Sequence, residues 1–164
     1  MASTYTATQL IRELAKRPEL TAKAVDILAP IVESRGDASV LDLYEIKLTL
    51  IPEAAKQSAL LWDMAAIAQG KLDAPGPAWG YALRAFAAAP MASLEQFVEA
   101  ARVLDQRLAA ASALDLAAVD DAENALTFVT VAERLRKQEA KASELQPAPV
   151  AVETVTRNRK DPHA

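Results

Sequence analysis

Thirty-seven of the 164 residues are alanine, against only eight aromatics, and this excess governs what the chain can build. Alanine loses no side-chain entropy in a helix and clashes with nothing there, so the average propensity is strongly helical. It buries little area by itself. A core of Ala with Leu, Ile and Val must come from helices in close approach, which leaves no roomy ligand cavity. A chain of this length hides roughly 70% of the surface its unfolded form exposes, enough for one such core. The expectation is an all-α fold, an irregular bundle of five to seven helices over residues 1–142, followed by a disordered, proline-containing tail at 143–164.

Apolar spacing and stop signals divide the chain. Thr6 with Gln9 is a capping-box pattern ahead of Leu10, Ile11 and Leu14, and Pro18 ends that first helix. Pro18 suits the first turn of a second helix, whose stripe Leu20, Ala24, Ile27, Leu28, Ile31 runs to Gly36, with Pro30 predicting a kink or break near Ala29. Ser39 with Asp42 opens a third segment at 40–51, where Ile46 to Leu50 alternate like a strand; for want of a partner strand the helical reading is preferred. Pro52 starts a fourth helix with Leu60, Leu61, Met64, Ile67 and Ala68 inward, closed by Gly70 in a left-handed position. Residues 70–80 hold three of the four glycines and two prolines, and read as a loop between two halves. A short helix at 78–89 stops at Pro90. A long helix capped by Ser93 with Gln96 follows, its stripe Leu94, Phe97, Ala101, Leu104, Leu108, Ala111 resembling a coiled-coil seam. A last helix at 120–142 would place Leu126, Val129, Ala132 and Leu135 inward, with Asp120, Asp121 and Glu123 at its positive end. No internal repeat is present.

Composition also limits the chemistry. With no cysteine, and with a single histidine, His163, next to the C-terminus, thiolate chemistry, zinc–cysteine sites and an imidazole-based triad lack their groups. The run Gly76, Pro77, Ala78, Trp79, Gly80 has neither the spacing nor the basic residue of a phosphate-cradling loop. Glu95 and Glu99 share a helical face, and Asp120 adjoins Asp121, but acids crowd the first turns of helices for dipole reasons alone. The sequence therefore predicts a non-enzyme with no catalytic, cofactor-binding or metal residues. The charge of −4 argues against nonspecific nucleic-acid or anionic-membrane binding. Charge-free stretches such as 74–83 and 85–94 are ten residues long, half of what a membrane helix needs, so a cytoplasmic or assembly-interior location is expected.

Three features point to partners. Aromatics gather at Trp79, Tyr81 and Phe86, as rigid anchors do at protein interfaces. Together with the seam residues Leu94, Phe97, Leu104 and Leu108 they form the predicted surface of a homo-oligomeric helical interaction or assembly protein, of a composition that GC-rich bacterial and phage genomes favour. Residues 14–28, LAKRPELTAKAVDIL, resemble a helix-turn-helix, with Leu20 in the turn, Thr21 as cap, and Val25 and Leu28 inward. That alternative makes the protein a DNA-binding regulator through Lys16, Arg17 and Lys23. A third reading is a small acidic inhibitor, antitoxin or chaperone binding one protein. Finally, Arg157, Arg159 and Lys160 form a basic cluster in the tail, able to dock on an acidic partner.

Overall fold

The computed structural model describes Gln9, Arg12, Glu13 and residues 16–146. Among these the protein is all-α, with seven helices: α1 Pro18–Ser34, α2 Ser39–Thr49, α3 Ala54–Gly70, α4 Pro75–Ala88, α5 Pro90–Val103, α6 Arg107–Asp120 and α7 Ala125–Leu145. Of the expected first helix only Gln9, Arg12 and Glu13 are described, and they are helical; residues 143–145, expected in the tail, extend α7, and the tail from residue 147 lies outside the described residues. Each helix packs on the next in chain order, most extensively α3 on α4 and α6 on α7. These two pairs are helical hairpins closed by short turns.

Prolines set three of the seven described helix starts; Pro52, expected to begin a helix, lies just ahead of α3, whose N-cap is Glu53. Pro18, Pro75 and Pro90 each lie in the first turn of a helix, where a missing N–H leaves no bond unmade. The same logic corrects the expected loop at 70–80. Pro75 and Pro77 both fall within the first three helical positions, so α4 starts at Pro75, absorbs Gly76 and Gly80, and leaves a link of only residues 71–74. That link closes a hairpin instead of separating two halves. Gly70 remains helical, and the left-handed residue is Asp73, with φ 47°. Pro30, exposed and one turn from the end of α1, does not break the helix, which continues to Ser34. The segment at 39–49 is helical, as preferred, although its N-cap is Ala38; Asp37 accepts a bond from the Ser39 N–H at 2.9 Å.

The long helix with a continuous seam is overturned. Asp105 adopts φ 55°, Gln106 N–H donates to the Ala101 carbonyl at 2.7 Å, and the chain turns between α5 and α6. This is a Schellman-type ending in which Asp takes the place that Gly usually fills. The final helix begins at Ala125, leaving Asp121 in the preceding turn, where its carboxylate accepts from the Asn124 backbone and side chain at 3.2 and 2.7 Å.

Phe97 lies at the centre of the core and is completely buried. Its ring stacks on Phe86 at 4.2 Å and on Trp79 at 5.3 Å, while Phe86 meets Phe128 edge-on at 6.1 Å. Ala78, Ala82, Ala85, Ala101, Ala110, Ala111 and Ala132 fill the space around them with no exposed area. α3 buries Leu60, Leu61, Met64, Ile67 and Ala68 as expected. Two inward faces differ from expectation. In α1 the buried row is Thr21, Val25, Ala29, packed with Leu43 of α2, while Leu20, Ile27 and Ile31 face solvent. The narrower row lets the two helices approach more closely. In α7 the buried row is Phe128, Ala132, Leu135, with Leu126 and Val129 exposed.

Ser93 is not a cap but a buried member of a relay. The Trp62 indole N–H donates to Ser93 Oγ at 3.2 Å, the two hydroxyls of Ser93 and Ser58 are 2.9 Å apart, and Ser58 donates to the Ala85 carbonyl at 2.8 Å. Ala85 lies in the last turn of α4, where its carbonyl also accepts from the Ala89 N–H at 3.3 Å, so the relay adds a second donor there while tying α3, α4 and α5 together. A cap would tolerate Asp; a buried relay would not. S93A is expected to cost about 1–3 kcal/mol by leaving the indole N–H unsatisfied, and S93D more still, both read from urea unfolding. Wild-type stability in S93D would restore the capping role.

Candidate interaction surface

Near the α1–α3 junction, Glu33, Tyr44, Asp63, Ala66, Ile67 and Lys71 line a polar wedge of about 400 Å³. Lys71 Nζ and the Tyr44 hydroxyl both donate to the Glu33 carboxylate, the latter at 3.3 Å. The Lys71 bond holds the Glu33 carboxyl below its ordinary range, outweighing the opposing effect of partial burial. Burial and the Glu33 charge push the Tyr44 phenol up, which disfavours its use as a base. These groups satisfy one another, so the wedge works as a clamp joining α1, α2 and the end of α3. A second clamp joins α2 to α4, where both Arg84 Nη atoms engage the Glu45 carboxylate, one of them at 3.0 Å.

The predicted interface residues separate into two groups. Phe86 and Phe97 belong to the core, and Trp79 is half-buried against Phe97, so the aromatic cluster is committed to the fold and not to a partner. Tyr81 is half-buried under the Arg84 guanidinium, 5.8 Å from its ring centre. Leu94 and Leu104 pack partly into the same core. Leu108 alone of the set stands well exposed, at 57%.

Leu108 proves to be one end of a different surface. At 100° per residue, Leu108, Ser112, Leu116 and Val119 share one side of α6. Leu116 is 69% and Val119 81% exposed; across the turn, Leu126 matches Val119. Leu116 also borders a groove of about 510 Å³ between α4 and α6, walled by Leu83, Phe86, Ala87, Pro90, Ala113 and Ala117. Asp120 and Asp121 close one end of the groove, and Arg84 lines it as well. Asp115, the only charge within α6 between its terminal residues, turns aside to bond Arg136 of α7. Asp115 shares that side, seven residues from Leu108 and four from Val119, so the exposed apolar row is flanked by the half-exposed Asp115–Arg136 ion pair. The seam hypothesis reached Leu108 but missed Leu116 and Val119, because it counted heptads through a helix that ends at Val103. Their signal was that α6 carries apolar residues on every side, which a helix tolerates only when it is buried or covered.

The nucleic-acid candidates are dispersed. Lys16 pairs with Glu13 at 2.7 Å, Arg17 is the N-cap of α1, and Lys23 is exposed. The helix begins at Pro18, so Leu20 and Thr21 are already helical and the Thr21 hydroxyl bonds the Arg17 carbonyl; the expected turn and cap are displaced by one helical turn. Leu14 and Ala15 lie outside the described residues, and of the inward pair Val25 is buried and Leu28 half-buried. Glu99 binds Arg102 at 2.6 Å, and that bond holds its carboxyl below the ordinary range. Among the described residues no cluster of three His, Cys, Asp or Glu side chains is placed to hold a metal, and no helix is long and apolar enough to cross a membrane. No protein-family model matches the chain, and neither a curated protein nor a solved structure is similar enough to count as a match.

The clamp at Glu33 makes a prediction with a definite sign. Because folding lowers the Glu33 pKa, its stabilisation is present above the unfolded value and is lost as pH falls through the folded one. E33Q should cost about 0.2–1 kcal/mol at neutral pH. Its stability should converge on wild type between about pH 6 and about pH 3. Urea titrations at each pH would show it; a constant difference would assign the effect to packing.

Proposed function

We propose that this protein is a non-enzymatic interaction or assembly protein that docks helices on the outward side of α6 and self-associates there. The observation that carries the reading is the exposed apolar row Leu108, Leu116, Val119, flanked by the Asp115–Arg136 ion pair and continuous through Leu116 with the α4–α6 groove. It replaces the seam at residues 94–111 as the self-association surface, because the middle of that seam is interior. The alanine-rich, lysine-poor composition supports a bacterial or phage assembly as the setting.

Magnitudes define the expected behaviour. Fully burying one such Leu or Val contributes about 1.5–3 kcal/mol. Two copies of a three-residue row therefore offset an association cost of about 4–15 kcal/mol only narrowly. Weak, concentration-dependent pairing is the consequence. Light scattering on the intact chain over a concentration series should show the mass rising toward a dimer, whereas L116E/V119E should remain monomeric with unchanged helical circular dichroism. A wild-type mass that stays monomeric throughout, or a double variant that pairs as well as wild type, would end this reading.

A further inference from the structure

We propose, resting on the reading of the α6 side as a docking surface, that its occupant is α1 of a second copy of this chain, laid antiparallel across it. Spacing, charge and topology each support that assignment.

The stripe Leu20, Ala24, Ile27, Ile31, expected to face the core, turns outward because the narrower row Thr21, Val25, Ala29 packs against α2. At 100° per residue these four side chains fall within about 60° of one another, a single row along α1. Leu20, Ile27 and Ile31 are exposed. Leu20 and Ile31 are eleven residues apart, as are Leu108 and Val119, so each row extends about 16 Å along its helix. Besides α1 and α6, no helix among the described residues exposes three large apolar side chains in one row. Antiparallel, Leu20 comes level with Val119, Ile27 with Ser112, and Ile31 with Leu108. Ala24 then lies level with Asp115, where its small side chain leaves room for the ion pair with Arg136.

Charge fixes the direction. Arg17 and Lys23 bracket Leu20 and make no ion pair among the described residues, whereas Lys16 is taken up by Glu13. Glu19 lies 100° around α1 from Leu20, off the row. Beyond Val119 stand Asp120 and Glu123, also without an ion pair there, at the C-terminus of α6, where the helix dipole adds negative potential. The antiparallel direction brings the positive N-terminal end of α1 to this acidic end. The parallel direction would instead bring Arg17 to Asp105, a carboxylate that Arg107 already holds at 2.6 Å, and leave Asp120 and Glu123 unmatched. Topology requires the second copy. Within the chain α1 packs on α2, α6 packs chiefly on α7 and α5, and the two do not pack on each other.

A contact between unlike surfaces can be tested by complementation. In the full-length chain, L20E/I27E and L116E/V119E should each be monomeric by light scattering at concentrations where the wild type pairs, with helical circular dichroism unchanged. Mixed in equal amounts, they should regain the wild-type pairing constant within about twofold and stop at a dimer, because the mixture holds one intact α1 row and one intact α6 row. Should the glutamates disturb α1, R17E/K23E and D120K/E123K provide a second set: each alone should pair about tenfold more weakly, and their mixture should recover. L20E/I27E pairing as well as wild type, or mixtures that recover nothing, would overturn α1 as the occupant. If L116E/V119E is monomeric in that case, the α6 surface stands with a different occupant; if it too pairs as wild type, the docking surface itself falls.

Discussion

The rest of the fold depends on the burial of one ring. Phe97 is sandwiched between Trp79 and Phe86 of α4, and Phe86 passes the contact on to Phe128 of α7. With so few aromatics in a chain of small side chains, these rings supply the bulk around which alanine faces can close. The requirement fixes where α5 must lie, and Pro90 provides the sharp start that places it there. The Ser58–Ser93–Trp62 relay answers the remaining need, partners for the two hydroxyls and the indole that this tight corner buries.

Much of the architecture was legible because its causes are local. Helix content follows from alanine, and the start at Pro18 follows from an N–H that is missing where none is needed; Pro75 and Pro90 begin helices for the same reason, although they read as a loop residue and a stop. The errors also share a cause. Asp73 and Asp105 take left-handed conformations normally signalled by glycine, so the turn that ends α5 carried no sequence mark. Gly76 and Gly80, conspicuous as breakers, sit inside a helix that neighbouring helices hold in place. Choosing an inward face was ambiguous wherever a helix offered two apolar rows. In α1 the row of Thr21, Val25 and Ala29 prevails over the larger residues because closeness of approach outweighs the area of each side chain.

The same ambiguity explains how much of the interaction surface could be read. Leu108 was identified for the wrong reason, as a continuation of a seam, and the aromatics were identified for a sound general reason that the core had already claimed. Leu116 and Val119 went unnoticed since α6 has no polar side by which to orient it. A helix that is apolar all round gives no direction until the neighbours are known. Here α4, α5 and α7 cover Ala110, Ala111 and Leu114 and leave Leu108, Leu116 and Val119 outward.

Packing each helix on its neighbours in the chain has a consequence for how the chain forms during synthesis. Contacts close in sequence ask for little loop entropy, so α1 with α2, and then α3 with α4, can associate as they emerge. The aromatic centre cannot close on the same schedule. Phe86 must wait for Phe97 and then for Phe128, which is among the last large core residues to be translated. Until α7 arrives, the nascent chain is an array of paired helices with an open apolar flank, and the final hairpin converts that array into a single cooperative unit.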